Sequence, residues 1–134
     1  MTLVDTNVLL DLVTDDPQWA DWSITQLEAA SLRGPLFING AIYAELSVRY
    51  GGIEALDAFV ETATLEMIDI PRPALFLAGK VFTQYRRAGG SRTGVLPDFF
   101  IGAHAAVQGL PLLTRDKARY RTYFPTVELI APQD

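Results

Sequence analysis

The chain has 134 residues and a formal net charge of −5, with 49% hydrophobic and 20% charged residues. This length and composition predict one globular domain over residues 1–134 with a sizeable core, and they exclude a disordered chain. Because cysteine is absent, disulfides, thiolate metal sites and cysteine nucleophiles are excluded as well. No apolar run is long enough to span a membrane, and the N-terminus lacks the features of a signal peptide, so we expect a soluble, cytoplasmic protein.

The charges are distributed unevenly along the chain. Residues 1–69 carry twelve acids and two bases, whereas residues 70–134 carry four acids and nine bases. Seven of the nine bases fall between Arg86 and Arg121. This segment predicts a basic surface that could bind a polyanion, and an ordinary solvent-exposed charged surface is the alternative.

Short apolar runs alternate with longer segments in which apolar residues recur at helical spacing. In chain order, the first half predicts strand Met1–Asp5, helix Asn7–Val13 capped by Thr6, helix Pro17–Leu32 capped by Asp16, strand Leu36–Asn39, helix Gly40–Tyr50, helix Ile53–Ala63 and strand Leu65–Ile70. The second half predicts helix Pro73–Arg87, a GGSRTG loop over 89–94, helix Pro97–Gln108 closed by Gly109, strand Leu110–Thr114, a basic turn or short helix over 115–123 and strand Val127–Ala131.

Strands that alternate with helices favour a parallel sheet covered by helices on both faces. We therefore expect an α/β fold, a three-layer sandwich with a mainly parallel central sheet of about five strands. In such sheets, ligands bind outside the carboxyl ends of the strands.

Four acids are placed where that rule directs attention. Asp5 ends the first predicted strand, Asp116 follows a later one, Asp98 lies in the first turn of a helix, and Glu45 lies on the apolar face of another helix. Each has an ordinary explanation: a turn residue for Asp5, a helix cap for Asp116, a favourable helix dipole for Asp98, and for Glu45 an ion pair with Arg49. Together, however, a parallel sheet would bring Asp5, Asp98 and Asp116 to one edge, with Glu45 facing the same layer.

Several carboxylates within a few ångströms cannot all stay ionised without a cation. Oxygen ligands without cysteine, and with a single histidine, favour a hard ion, Mg²⁺ or Mn²⁺. An acidic metal site beside a basic segment is typical of enzymes that hydrolyse nucleic-acid phosphodiesters, since the ion activates water while arginine and lysine hold the backbone.

Four segments of the sequence resemble those of PIN-domain proteins, and more closely those of VapC-type toxin ribonucleases from toxin–antitoxin pairs. They are VDTNVLLDL at 4–12, INGAIYAEL at 38–46, LPDFFIGAHAAVQGLPLLTRD at 96–116 and VELIAP at 127–132. The resemblance spans essentially the whole chain, and the third segment is its specific part.

This resemblance implies a PIN-like sandwich whose metal site, for Mg²⁺ or Mn²⁺, is formed by the four acids Asp5, Glu45, Asp98 and Asp116. It implies that Thr114 supports the site through its hydroxyl, with Thr6 and Asn7 as lesser supporting residues. The implied activity is metal-dependent endoribonuclease cleavage, in which water attacks phosphorus in line with the departing 3′ oxygen and leaves a 5′ phosphate. The implied partners are RNA, a cognate antitoxin protein that occupies a groove, and a second copy in a homodimer or a higher assembly.

Other residues allow competing interpretations. Arg87, Arg92, Arg115 and Lys117 are candidates for contact with the RNA backbone, with solvated loops as the alternative. His104 lies about 120° around its helix from Asp98, so we expect a packing or surface histidine and not a ligand. Trp19 and Trp22 could anchor an antitoxin helix or pack against the core.

Two other classes of protein fit the sequence less well. An aspartyl-nucleophile phosphatase would place a second acid at position 7, where this chain has Asn7. A receiver-like phosphorylation module would use an early acidic pair, a central aspartate and a late lysine, and Asp15-Asp16, Asp69 and Lys117 match this pattern only loosely. A non-catalytic binding module with an acidic cation site is therefore the alternative to the nuclease.

Overall fold

The computed structural model describes residues 1–92 and 96–133, so the last two residues of the predicted GGSRTG loop, Thr93 and Gly94, lie outside the described residues. The strands are β1 (Thr2–Val4), β2 (Leu36–Ile38), β3 (Leu65–Met67), β4 (Leu112–Leu113) and β5 (Leu129–Ile130). The helices are α1 (Thr6–Val13), α2 (Ala20–Ser31), α3 (Gly40–Ser47), α4 (Ile53–Thr62), α5 (Arg72–Arg87), α6 (Pro97–Gln108) and α7 (Lys117–Tyr123).

The strands form one parallel sheet in the order β3-β2-β1-β4-β5. The chain moves outward from β1 through β2 to β3, then returns to the other side of β1 for β4 and β5. Strand β1 is fully buried, whereas the edge strand β3 is partly exposed, as expected for a sheet with helices on both faces. The reversal of strand order lies between β1 and β4, and this is where ligands bind in open α/β sheets.

The predicted α/β architecture with a parallel sheet of five strands is confirmed. The strands are shorter than predicted because only two or three residues of each pair with a neighbour. Helix α1 is capped by Asp5, whose side chain accepts a hydrogen bond from the Thr6 backbone, so the prediction of Thr6 as the cap is wrong.

Helix α2 begins at Ala20, three residues later than predicted. The Asp16 carboxylate accepts hydrogen bonds of 2.8 and 2.9 Å from the backbone of Gln18 and Trp19, so it closes a turn that precedes the helix. Asp15 has a positive φ of 48°, which reverses the chain between α1 and α2. The predicted C-terminal cap at Gly109 is confirmed, and its φ of 64° places it in the left-handed region.

Helix α6 is held tightly against the rest of the core. Phe99 contacts four aromatic side chains with ring centroids 5.4 to 6.5 Å away: Phe82, Tyr85, Tyr123 and Phe124. A Cβ at Gly102 would lie 2.3 Å from the Phe124 ring, so only glycine permits this approach. The start of α6, which carries Asp98, is thereby fixed relative to α7.

Helices α3 and α6 are joined by a buried polar contact. The side chain of Asn39 caps α3 by accepting from the Ile42 backbone, and its Nδ2 donates to Nδ1 of His104 at 3.0 Å. The other ring nitrogen of His104 hydrogen-bonds to Gln108. His104 is fully buried, and burial lowers its pKa, so of the two alternatives expected for it, packing and surface, the structure has packing. Among the described residues, no helix is long and apolar enough to span a membrane.

Candidate metal centre

Asp5 lies at the carboxyl end of β1 and is only 3% exposed. Its backbone N–H donates to the Leu113 carbonyl at 2.9 Å, which continues the pairing of β1 with β4. Its carboxylate accepts from the Thr6 backbone at 2.7 Å, from the Thr114 hydroxyl at 2.7 Å and from the Tyr120 hydroxyl at 3.1 Å. Among residues 1–92 and 96–133, the donors that hold this carboxylate in one orientation are therefore all neutral groups.

Glu45 extends from α3 toward the same end of the sheet. The Thr6 hydroxyl donates to its Oε1 at 2.6 Å, so the partner of Glu45 is Thr6 and the alternative of an ion pair with Arg49 is not what the structure has. Burial raises the pKa of Glu45, and the neighbouring Asp98 carboxylate raises it further against the lowering effect of the Thr6 hydrogen bond. Within the described part of the chain, this glutamate is thus a partly buried acid without a cationic partner of its own.

Asp98 completes a group of three acids. Asp5, Glu45 and Asp98 each offer one carboxylate oxygen, and these oxygens lie within 4.8 Å of one another. The three residues come from the end of β1, from α3 and from the first turn of α6, and they meet at the reversal of strand order. Three convergent oxygen ligands suit a hard divalent cation.

The fourth predicted acid, Asp116, lies beside this group and outside it. Its side chain caps α7 by accepting a hydrogen bond from the Arg119 backbone at 3.3 Å. This is the helix-cap role that the sequence offered as the ordinary explanation for Asp116. The Arg119 guanidinium lies between the acids: its Nη1 donates to Asp98, and its Nε is 3.8 Å from an Asp116 carboxylate oxygen. Asp116 is therefore connected to the three acids through an arginine.

The predicted supporting residues are all at this end of the sheet. Thr114 donates to Asp5 and accepts from the Asp116 backbone at 3.0 Å, so it links two of the four acids. The Asn7 amide is 3.5 Å from the Thr114 hydroxyl, and its oxygen accepts from the Arg115 backbone at 3.2 Å.

Sequence reasoning missed two residues, Tyr120 and Arg119. Tyr120 is fully buried, and its hydroxyl donates to the same Asp5 oxygen that Thr114 contacts. In the sequence, Tyr120 and Arg119 lie in a segment that predicted only a basic turn or short helix. The contact of Tyr120 with Asp5 could not be predicted, because it depends on how α7 folds back toward β1.

Burial raises the pKa of Asp5 to about 7, and the nearby Asp98 carboxylate adds to the effect, while hydrogen bonds from Thr114, Thr6 and Tyr120 oppose it. A carboxyl whose pKa is this high holds a proton in part of the molecules at neutral pH. A bound cation would favour the ionised form, so the three acids fit a divalent metal by both geometry and charge.

The four predicted RNA contacts have different surroundings. Arg87 and Arg92 are exposed, at the end of α5 and in the segment after it. Arg115 instead makes two hydrogen bonds of 2.8 Å to the buried Asp11, and its guanidinium lies 5.0 Å from the Trp19 ring. Lys117 lines an open cleft of about 450 Å³ that Asp116 also borders.

Two further features lie outside the group of acids. Trp19 and Trp22 are half-buried with their rings edge to face, 6.0 Å apart, and Trp22 packs on the core while Trp19 covers Arg115. A groove of about 520 Å³ lies at the opposite end of the sheet from the acids. Its lining is mainly apolar and comes from α1, α2, the end of α4 and the starts of β2 and β3.

Comparison with known proteins agrees with this geometry. The family model of the PIN domain matches residues 2–125. No curated protein matches the chain significantly. Among solved structures, the chain is similar to VapBC2 from Rickettsia felis bound to a promoter DNA fragment, with a TM-score of 0.74, 20% identity and 98% of each chain covered.

Two further solved structures are similar over nearly their full length. A toxin–antitoxin complex from Klebsiella pneumoniae has a TM-score of 0.69 and 22% identity, with 100% of this chain and 99% of that chain covered. The DNA-bound VapBC from Salmonella typhimurium has a TM-score of 0.69 and 21% identity, with 98% of each chain covered. At this level of identity the likeness concerns the fold, and together with the family model it leads to one conclusion: the chain belongs to the PIN domain family.

Proposed function

We propose that this protein is the toxin of a VapC-type toxin–antitoxin pair, a metal-dependent endoribonuclease. The observation that carries the proposal is the convergence of Asp5, Glu45 and Asp98 at the reversal of strand order, with their oxygens within 4.8 Å. Membership of the PIN domain family and the similarity to toxin–antitoxin complexes support the same interpretation.

In this proposal Asp5, Glu45 and Asp98 hold Mg²⁺ or Mn²⁺, and Asp116 takes part from the rim of the site. When bound, the ion would activate a water molecule for attack on an RNA phosphodiester and offset the charge that develops on phosphorus. Thr114 and Tyr120 orient the Asp5 carboxylate, and Thr6 orients that of Glu45. These hydroxyl donors leave the ligand oxygens fixed before the ion arrives, which lowers the cost of binding.

The RNA backbone would approach from the side of the second half of the chain. Lys117 beside the cleft next to Asp116, and the exposed Arg87 and Arg92, are the proposed phosphate contacts. Arg115 is a weaker candidate because Asp11 already holds its guanidinium.

The experiment that tests this function is incubation of the purified protein with total and transfer RNA, in Mn²⁺, Mg²⁺ or chelator. Asp98→Asn is the inactivating variant. Asp21→Asn is its matched control, because Asp21 is also in the first turn of a helix but is exposed on α2. We expect discrete fragments that require metal and that disappear with Asp98→Asn only.

If a folded preparation binds Mn²⁺ but cleaves no RNA, the proposed endoribonuclease activity is wrong. The alternative of a non-catalytic module that binds a cation would then remain. The receiver-like version of that alternative has little geometric support. Strand β3, which precedes Asp69, is at the edge of the sheet, and Asp15 and Asp16 lie in the turn between α1 and α2.

The proposed partners are a cognate antitoxin protein and a second copy of this chain. The apolar groove of about 520 Å³ is a suitable surface for an antitoxin segment. Large apolar side chains on α4, β3 and α5 are more than half exposed, namely Ile53, Met67 and Phe76, and are candidates for the dimer contact. Sedimentation of the wild-type protein and of Phe76→Glu tests the dimer, since the variant should shift the equilibrium toward monomer.

A further inference from the structure

Arg119 is a cation that the chain itself places at the candidate metal centre. Its Nη1 donates to Asp98, its Nε lies 3.8 Å from an Asp116 carboxylate oxygen, and its backbone N–H donates to the other Asp116 oxygen at 3.3 Å. Asp98 is also one of the three acids whose oxygens converge within 4.8 Å. The guanidinium and a divalent ion would therefore compete for the same carboxylate.

A comparison with Arg115 indicates which arginine can be displaced. The Arg115 side chain is 26% exposed, is held by two hydrogen bonds of 2.8 Å to the buried Asp11, and lies 5.0 Å from the Trp19 ring. The Arg119 side chain is 45% exposed and its two carboxylate partners are themselves partly exposed, at 21% and 40%. Arg119 can therefore leave its partners without opening the core, since exposed ion pairs are weak.

The acids at the site need a compensating positive charge when no metal is bound. Four carboxylates lie at this end of the sheet, and like charges this close repel one another. An arginine between Asp98 and Asp116 reduces that repulsion in the metal-free protein. A divalent ion held by the three acids would supply that positive charge, and it would repel a guanidinium that is hydrogen-bonded to the same Asp98 carboxylate.

We propose that Arg119 is an internal counter-cation, which neutralises Asp98 and Asp116 in the metal-free protein and must leave Asp98 before a divalent ion binds. It thereby lowers the affinity of the site for metal. The inference depends on the proposed function for the metal site alone and does not depend on RNA as the substrate. Arg119 would thus affect metal binding indirectly, through the Asp98 carboxylate, without contacting the ion or the RNA.

The first test follows the arginine side chains of the wild-type protein by ¹H–¹⁵N NMR of their Nε–H groups. The Arg119 signal is assigned by its absence from the spectrum of Arg119→Lys. On titration with Mg²⁺, the Arg119 signal should shift toward that of a solvent-exposed arginine, while the Arg115 signal stays in place as an internal reference. An Arg119 signal that does not respond to saturating Mg²⁺ would overturn the proposal.

The second test measures Mn²⁺ affinity by calorimetry for the wild type, Arg119→Gln and Arg121→Gln. Arg121 is the matched control, because it is an exposed arginine on the same helix outside the acid group. We expect Arg119→Gln to bind Mn²⁺ about two- to fivefold more tightly, the change that corresponds to loss of an exposed ion pair. At about 0.15 M salt, Arg121→Gln should bind like the wild type because its charge is screened.

Equal or weaker Mn²⁺ binding by Arg119→Gln would overturn the proposal, and so would equal tightening by Arg121→Gln. Circular dichroism shows whether each variant is folded, and the NMR titration of the wild type decides the question if Arg119→Gln is not. The two proposals fail in different ways. If Arg119→Gln binds Mn²⁺ more tightly but the wild type cleaves no RNA, this inference stands and the proposed nuclease activity is wrong. If the wild type cleaves RNA but Arg119→Gln binds Mn²⁺ with the affinity of the wild type, the nuclease activity stands and this inference is wrong.

Discussion

Two buried aspartates six residues apart, Asp5 and Asp11, have opposite surroundings. Both are nearly inaccessible, at 3% and 2% exposure. Asp11 is paired by the Arg115 guanidinium through two hydrogen bonds of 2.8 Å and also accepts from the Ser23 hydroxyl at 2.6 Å. Asp5 has hydroxyl and backbone donors, and two further acids nearby.

The difference separates a structural carboxylate, Asp11, from a poised one, Asp5, meaning a carboxylate that is held in place and available to bind a cation. Asp11 is already satisfied by a cation, and its network ties α1 to α2 and to the segment after β4. Asp5 has its orientation fixed by neutral groups, but no cation among the described residues is paired with it, and burial raises its pKa to about 7. A buried acid with fixed geometry and an unbalanced charge is typical of a functional site.

The largest expected effect comes from removing the charge of the poised aspartate. Asp5→Asn should reduce Mn²⁺ affinity and RNA cleavage by more than about 100-fold, since loss of an outer partner of a metal ligand already costs up to that much. Its melting temperature in chelator at about pH 8 should be equal to or higher than that of the wild type, because a buried charge is removed. Calorimetry, the cleavage assay and thermal melts measure these effects. An Asp5→Asn protein that binds Mn²⁺ normally would contradict the assignment.

The converse substitution should break the structural network and spare the site. Asp11→Ala leaves the half-buried Arg115 and the Ser23 hydroxyl without their partner, so we expect a loss of about 3 kcal/mol in the free energy of unfolding. Mn²⁺ affinity per folded molecule should stay within about twofold of the wild type. Urea unfolding and calorimetry give both quantities. The double variant Asp11→Ala/Arg115→Met is the control, and it should recover part of the lost stability.

The pH dependence of stability should reveal the raised pKa of Asp5. Asp5 has its usual pKa of 3.8 in the unfolded chain and a pKa of about 7 in the metal-free folded protein. Between these values the folded protein holds a proton that the unfolded chain has lost, so the Asp5 contribution makes stability fall as pH rises from about 4 to about 7. The difference in unfolding free energy between Asp5→Asn and the wild type should therefore increase over this range and level off above it.

Metal binding should show the opposite trend over the same range. Because an ion requires the ionised carboxylate, the Mn²⁺ affinity of the wild type should rise as pH increases toward about 7. Calorimetry in buffers of different ionisation enthalpy would detect the released proton. A flat affinity between pH 5 and pH 8, roughly the range of the shifted group, would contradict a role for Asp5 as a ligand.

Much of the fold could be predicted from the sequence, since the apolar strands and the proline and glycine signals at α6 and Gly109 are local features. The predicted start of α2 at Pro17 was wrong because the Asp16 side chain closes a turn before the helix and does not cap the helix. The three convergent acids could be anticipated from strand ends and from the resemblance. The roles of Arg115, Arg119 and Tyr120 could not, because each depends on a contact across more than 20 residues of sequence.

The smallest expected effect concerns Tyr120, which acts through Asp5. Tyr120→Phe removes one of the two hydroxyl donors to the same Asp5 oxygen and leaves the ring packed against Phe124. A single hydrogen bond of this kind contributes about 1 kcal/mol, so we expect a fall of about fivefold in Mn²⁺ affinity with the fold retained. Tyr123→Phe is the matched control, because Tyr123 is on the same helix and packs against Phe99. Equal affinities for both variants would mean that Thr114 alone is sufficient to orient the carboxylate, and Tyr120 would then belong with the packing of the core.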